Sequence, residues 1–191
     1  MKRTLLLALL AAMVSAGAAQ ATEKHVSVGA FGGFSIPVLQ DVDASSFSPS
    51  DAFGPTGSQF GLRADVKVIP VVTLEPFFAK SSHKEQEETF GTLTYTREGF
   101  DGTAFGLNAI LGRPDVGKFK VFPYVGLGKF KLERAGQDIN EVGWNFGLGF
   151  GISPAERFSI QIRSELNMVV TGDTSRKFGN MNVGLNYAIL P

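Results

Sequence analysis

The chain has no cysteine in its 191 residues, so neither a disulfide framework nor a lipid-bearing thiol is expected to hold it. Histidine occurs only as His25 and His83, and no Cys/His cluster has metal-ligand spacing, so neither metal nor cofactor is expected. No stretch after the N-terminal segment offers about 18 consecutive apolar residues, which excludes a membrane protein built of helices. Any crossing of a bilayer has to be made with strands. Basic blocks are also missing and the formal net charge is zero, so nucleic acid is not an expected partner.

The first 21 residues stand apart from the rest. Lys2 and Arg3 precede an apolar run from Leu5 to Val14, and Ala19-Gln20-Ala21 supplies a small-x-small cleavage site, the pattern of a secretory signal peptide (1–21). Residues 22–191 are then expected to form one exported domain. Without Lys2 and Arg3 that domain carries 16 basic and 18 acidic residues, a net charge of −2.

Strict period-two alternation dominates the mature chain. Val142, Trp144, Phe146, Leu148, Phe150 and Ile152 alternate with Gly143, Asn145, Gly147, Gly149 and Gly151. After Ser153 to Glu156 the pattern resumes as Phe158, Ile160, Ile162, Ser164, Leu166 and Met168 against Ser159, Gln161, Arg163, Glu165 and Asn167. Each arm holds about 11 residues, about twice the usual strand length. Tilted near 40° and rising about 3.3 Å per residue, such an arm climbs about 28 Å, close to the apolar band of a transmembrane barrel. Gly147-x-Gly149-x-Gly151 lacks the strand-turn-helix context of a nucleotide loop, and inward glycine on a strand accounts for it.

The same alternation predicts strands at 25–34, 57–68, 71–79, 102–111, 119–130 and 178–189, which with the central hairpin makes eight. In the fifth, Val121, Val125 and Leu127 compete with Phe122, Tyr124 and Phe130 for the outward face; the valine face is expected outward because Gly126 and Gly128 match inward residues elsewhere. Pro76 cannot donate to a ladder, which predicts a bulge or irregularity in the third strand. Connections run long, short, longest, short, medium, short, medium. The short ones, at Pro70, Gly112 to Lys118 and Ser153 to Glu156, are expected in the periplasm, and 35–56, 80–101, 131–140 and 169–177 outside. The longest is expected to carry strand extensions at Thr92 to Arg97.

With a signal, eight strands and this loop order, the chain resembles the small outer-membrane β-barrel superfamily of opacity-protein-like and OmpA/OmpX-like surface proteins. The resemblance implies an all-β, eight-stranded antiparallel up-and-down transmembrane barrel in the bacterial outer membrane, bedded in membrane lipid and lipopolysaccharide. It also implies periplasmic chaperones and the barrel-insertion machinery as assembly partners, with Asn182, Gly184, Tyr187 and Ile189 as the assembly signal of the last strand. Tyr and Trp number only three and one, so interfacial girdles would depend on the seventeen Phe.

Arg63, Asp65, Lys67, Glu75, Arg163 and Glu165 all fall on the inward face. An ion path is one reading of them. A salt-bridged plug is the other, favoured because an eight-stranded barrel is just wide enough for side chains to fill. Lipid A-modifying enzymes also use small barrels, but here Ser81-Ser82-His83, with Glu85 and Glu87 nearby, is a short polar grouping in which Ser82 and His83 point to opposite faces. Glu85 to Glu88 suits a solvated loop better than a calcium site. A soluble lipocalin-like barrel would turn the apolar face inward, yet its outside would then be Gly, Ser and Asn with few charges. The expectation is therefore a non-enzymatic barrel with a structural, adhesive or surface-recognition role, meeting a host or envelope ligand at 35–56 and 80–101. On this face assignment, Leu148→Arg should be costly and charge at Asn145 milder.

Overall fold

A computed structural model describes residues 25–38, 56–90, 93–97, 99–111, 119–134, 137–171 and 174–190. Among the described residues ten strands lie in this order: β1 (Val26–Val38), β2 (Gly57–Ile69), β3 (Val72–His83), β4 (Gln86–Phe90), β5 (Leu93–Arg97), β6 (Phe100–Leu111), β7 (Phe119–Arg134), β8 (Gln137–Ala155), β9 (Phe158–Thr171) and β10 (Thr174–Leu190). Eight close into a barrel in the order β1-β10-β9-β8-β7-β6-β3-β2, antiparallel throughout. β4 and β5 form a separate two-stranded sheet between β3 and β6. Met1 to Ala21 and Gly112 to Lys118 lie outside the described residues.

The alternation in the sequence becomes an inside-out burial pattern. On β8, Trp144, Phe146, Leu148 and Phe150 are exposed, while Gly143, Asn145, Gly149 and Gly151 are buried. On β2, Phe60 and Leu62 are each 60% exposed, whereas Arg63 and Asp65 are 4% and 3% exposed. In water, apolar patches on a monomer rarely exceed a few hundred Å², so an outside of this kind belongs in hydrocarbon. Valine faces outward on β7 as expected, and Phe122 and Tyr124 point in. Their rings fit because they pair with Gly149 and Gly147, where a Cβ would overlap them. On β1 Phe31 turns inward among Ser27, Gly29, Gly33 and Ser35, leaving Gly32 outside.

Several boundaries differ from the sequence expectation. Residues 131–140 and 169–177, expected as polar loops, largely continue the β7–β8 and β9–β10 ladders, and 80–101 contributes the ends of β3 and β6 plus the β4–β5 hairpin. Beyond the hydrocarbon the outer face of a strand can be polar: Lys131, Glu133, Asp138 and Asn140 are all exposed, so no apolar rhythm marks the strand there. Pro76 brings an interruption without a bulge. Pairing steps from Arg63↔Phe77 to Val66↔Leu74 in unchanged register, and on the other side Pro76 stays paired with Leu107. The register shift in this hairpin falls instead between Lys67 and Ile69. Ser153 to Ala155 end β8 after a register shift, so that turn is Glu156-Arg157.

The two ends of the barrel are unlike. One carries the turns Pro70-Val71 and Glu156-Arg157; at the other lie the β4–β5 hairpin and the extended β7–β8 and β9–β10 ladders. Outer-membrane barrels keep short turns on the periplasmic side, which orients the molecule.

Candidate functional site: a filled lumen

Inward side chains of β3 and β9, strands that are not neighbours, meet in the middle of the barrel. Arg163 grips Glu75 with Nη1 to Oε1 at 2.7 Å and Nη2 to Oε2 at 2.5 Å, and both side chains are about 1–2% exposed. Two parallel N–H donors on one carboxylate give the planar fork that arginine forms and lysine cannot. Asn108 Nδ2 donates to Glu75 Oε1 at 2.9 Å, and Asn145 Nδ2 donates to Asn108 Oδ1 at 2.6 Å. Arg163 also donates to Gln161 Oε1 and lies over the rings of Phe122 and Tyr124, 5.1 Å from each centroid.

Arg63 adds a second guanidinium, its Nε 4.0 Å from Glu75 Oε2 and its Cζ 5.3 Å from the centre of the Phe31 ring. Its Nε donates to Asn186 Oδ1 at 3.2 Å, while Asn186 Nδ2 donates to Asp65 Oδ2 at 2.9 Å. One amide thus bridges cation to carboxylate, and Ser27 Oγ donates to the same Asp65 oxygen at 3.1 Å. Glu165 forms a separate group nearer the extracellular end. It accepts from Tyr124 Oη at 3.0 Å, Asn180 Nδ2 at 2.9 Å and Asn167 Nδ2 at 3.1 Å. Lys67 departs from the six: half-buried, it stands one inward row nearer the periplasm, opposite Thr73, and its backbone amide donates to His25 O at 3.0 Å.

Above this polar layer the inward face turns apolar on β6 to β10, which the sequence reading did not foresee, while Ser35, Gln59 and Ser81 face inward on β1 to β3. Phe130, Leu132, Val169 and Phe178 form a buried cluster with Phe100, Ala104 and Ile139 packed against it. His83 stacks on Phe100 at 4.0 Å between ring centres and 16° between planes. Of the suspected serine-histidine grouping, Ser82 is exposed on the outer face, while Ser81 faces inward beside Gly102 and His83 inward beside Gly57. The cavity between polar layer and apolar cap measures about 40 Å³, against about 470 Å³ for the vestibule below, which Asp65, Lys120, Ser153 and Gln161 line. The upper one has room for little more than water.

Closed topology, an apolar exterior and a polar filled interior are the architecture of a membrane barrel, and residues 4–188 match the family model described as the outer membrane protein beta-barrel domain. The chain belongs to this family. It is an outer-membrane β-barrel protein. Among solved structures it is similar to Neisserial surface protein A, with a TM-score of 0.62 at 12% identity, covering 85% of this chain and 96% of that one. Ail, the attachment invasion locus protein of Yersinia pestis, gives 0.55 at 14% identity over 88% and 100% of the two chains. OprG from Pseudomonas aeruginosa gives 0.52 at 14% over 88% and 98%. Identities this low speak for the fold alone. No curated protein matches the chain.

The lumen of this outer-membrane barrel was only half legible in the sequence. Parity on a strand assigns a side chain to a face, which found Arg63, Asp65, Glu75, Arg163 and Glu165. Parity does not say which residues share a height, so the roles of Asn108, Asn145 and Asn186 as connectors were missed. Parity also put Tyr124 inward once the valine face of its strand was taken as outward, but it gave no sign of the hydrogen bond from its hydroxyl to Glu165.

Proposed function

We propose that this outer-membrane barrel is a non-enzymatic scaffold that presents recognition segments at the cell surface. The observation that supports this reading is the filled lumen: the Arg163–Glu75 pair and the Phe100/Phe130/Phe178 cap leave about 40 Å³ between them. A barrel filled in this way contributes rigidity, and rigid scaffolds carry binding on their loops. Those segments are 35–56 and 80–101, the latter including the β4–β5 hairpin. The partner is a host or envelope component. Lipopolysaccharide surrounds the outer end, and the insertion machinery and periplasmic chaperones act on the strand bearing Asn182, Gly184, Tyr187 and Ile189. In that strand the first two point inward and the last two outward, so Tyr187 and Ile189 form a lipid-side edge open to reading before the barrel closes.

Ail is described with the heparin analogue sucrose octasulfate, which makes sulfated glycan a sensible first probe. Cells displaying the full chain, and cells displaying it with residues 86–97 replaced by a Gly/Ser turn, are compared for binding to heparin and to immobilised matrix proteins. Binding that is lost with the hairpin supports the scaffold reading. Binding that survives both this replacement and replacement of 39–55 contradicts it.

A further inference from the structure

Among the described residues, the lipid-facing surface has a low place over β1, β2 and β3. On β1 the outward residues step down to Ala30 and Gly32, on β2 to Ala64 and on β3 to Pro76. Ala30 stands between Leu185 of β10 and Leu62 of β2, so taller side chains wall it on both sides. The result is an open trough of about 680 Å³ whose walls also include Val28, Phe78 and Tyr187.

The trough ends toward the periplasm in a polar group. Phe158 and Tyr187 pack edge to face at 5.1 Å, and Nη1 of Arg157, in the β8–β9 turn, donates to Tyr187 Oη at 3.5 Å. Tyr187 has its ring against the apolar trough and its hydroxyl toward the turn, the disposition of aromatics at a membrane–water boundary. Arg157 is exposed, and a guanidinium is a permanent cation whose fork matches phosphate oxygens.

We propose that the trough and Arg157 together form a binding site for one anionic phospholipid of the periplasmic leaflet. An acyl chain lies over Ala30 and Ala64, and the phosphate meets the Arg157 guanidinium. Inside hydrocarbon only acyl chains or another protein can fill an apolar depression, and the cation at its mouth favours the molecule that carries both chain and anion. The floor runs from Ala30 across Ala64 to Pro76, over three neighbouring strands about 10 Å wide, enough to seat part of one acyl chain. Glu156 shares the turn with Arg157, so the attraction comes from one guanidinium and its effect on binding is modest.

The test uses the full mature barrel in nanodiscs of equal phosphatidylglycerol and phosphatidylcholine, followed by native mass spectrometry of the released protein. Wild type is expected to keep one phosphatidylglycerol in preference to phosphatidylcholine. Arg157→Gln should cut phosphatidylglycerol retention about fivefold, the effect of one cation at an anionic surface, and leave phosphatidylcholine unchanged. Ala30→Phe, which fills the trough, should reduce both lipids, and Leu148→Phe on a distant strand neither. Heat-modifiable gel mobility checks that each variant is folded. Equal retention of the two lipids by wild type, an unchanged Arg157→Gln, or a lipid-free dimer whose interface is the trough would each overturn the proposal.

Discussion

At the scale of single residues, the lumen turns on one buried contact between Glu75 and Arg163, with Arg63 and Asn108 completing the shell around the carboxylate. Removing one partner of such a pair leaves the other charge uncompensated in a dry interior, whereas replacing both with apolar groups is often tolerated. Glu75→Ala should therefore lower the unfolding free energy in refolding micelles by about 3 to 5 kcal/mol, and Glu75→Leu combined with Arg163→Met should recover much of that loss. Urea titration of the three proteins decides it; a double variant as unstable as the single one would show that the pair does more than compensate itself. Asn145 belongs to the same scale. The sequence alone expects charge there to be milder than Arg at Leu148, because the position faces the lumen; Asn145 is 1% exposed with its amide on Asn108, so a charge would enter a filled network at a cost comparable to the pair itself.

At the scale of elements, alternation assigns faces and membrane depth sets their energetic weight. Leu148 lies near the middle of the apolar part of β8 and Ile152 four residues nearer the periplasmic turn, both on the outer face. Arg at the first should cost about 2 to 4 kcal/mol in bilayer refolding, and at the second about 0 to 1, because charge on the lipid face is penalised by depth. Equal costs at the two sites would contradict either the face or the tilt. The strands were legible wherever one face met lipid and the other the lumen, since those solvents demand opposite residues. They became illegible at Lys131 to Asn140, where the outer face meets water and the ladder carries on without a hydrophobic rhythm. The turn after β8 was misplaced for a related reason: Pro154 and Ser153 look like turn residues, but a register shift lets the strand absorb them.

At the scale of the whole molecule, a polar column near the middle and an apolar cap toward the outside close the lumen in series. The sequence announced the barrel, through strand length, count and loop order. It could not announce the closure, because Glu75 and Arg163 are 88 residues apart and on strands that do not pair, so only the completed barrel brings them together. The cap was hidden for the same reason as the strand ends, since Leu132 and Ile139 sit where a loop was expected. Replacing residues 86–97 by a short turn leaves this closure intact, so the variant should keep the heat-modifiable mobility of the wild-type barrel while losing whatever the hairpin binds. A variant that no longer shifts on heating would place the hairpin in the folding core.

The most direct test of a filled scaffold is electrical. Purified wild-type barrel is refolded and inserted into a planar bilayer in molar salt, and current is followed under applied voltage. The structure predicts no discrete conductance steps above membrane leak, with steps appearing when Glu75→Ala is combined with Phe130→Ala and Phe178→Ala. Stable, voltage-independent steps from the wild-type protein would mean that the lumen is an open path, and the scaffold reading would have to give way to a small-solute pore.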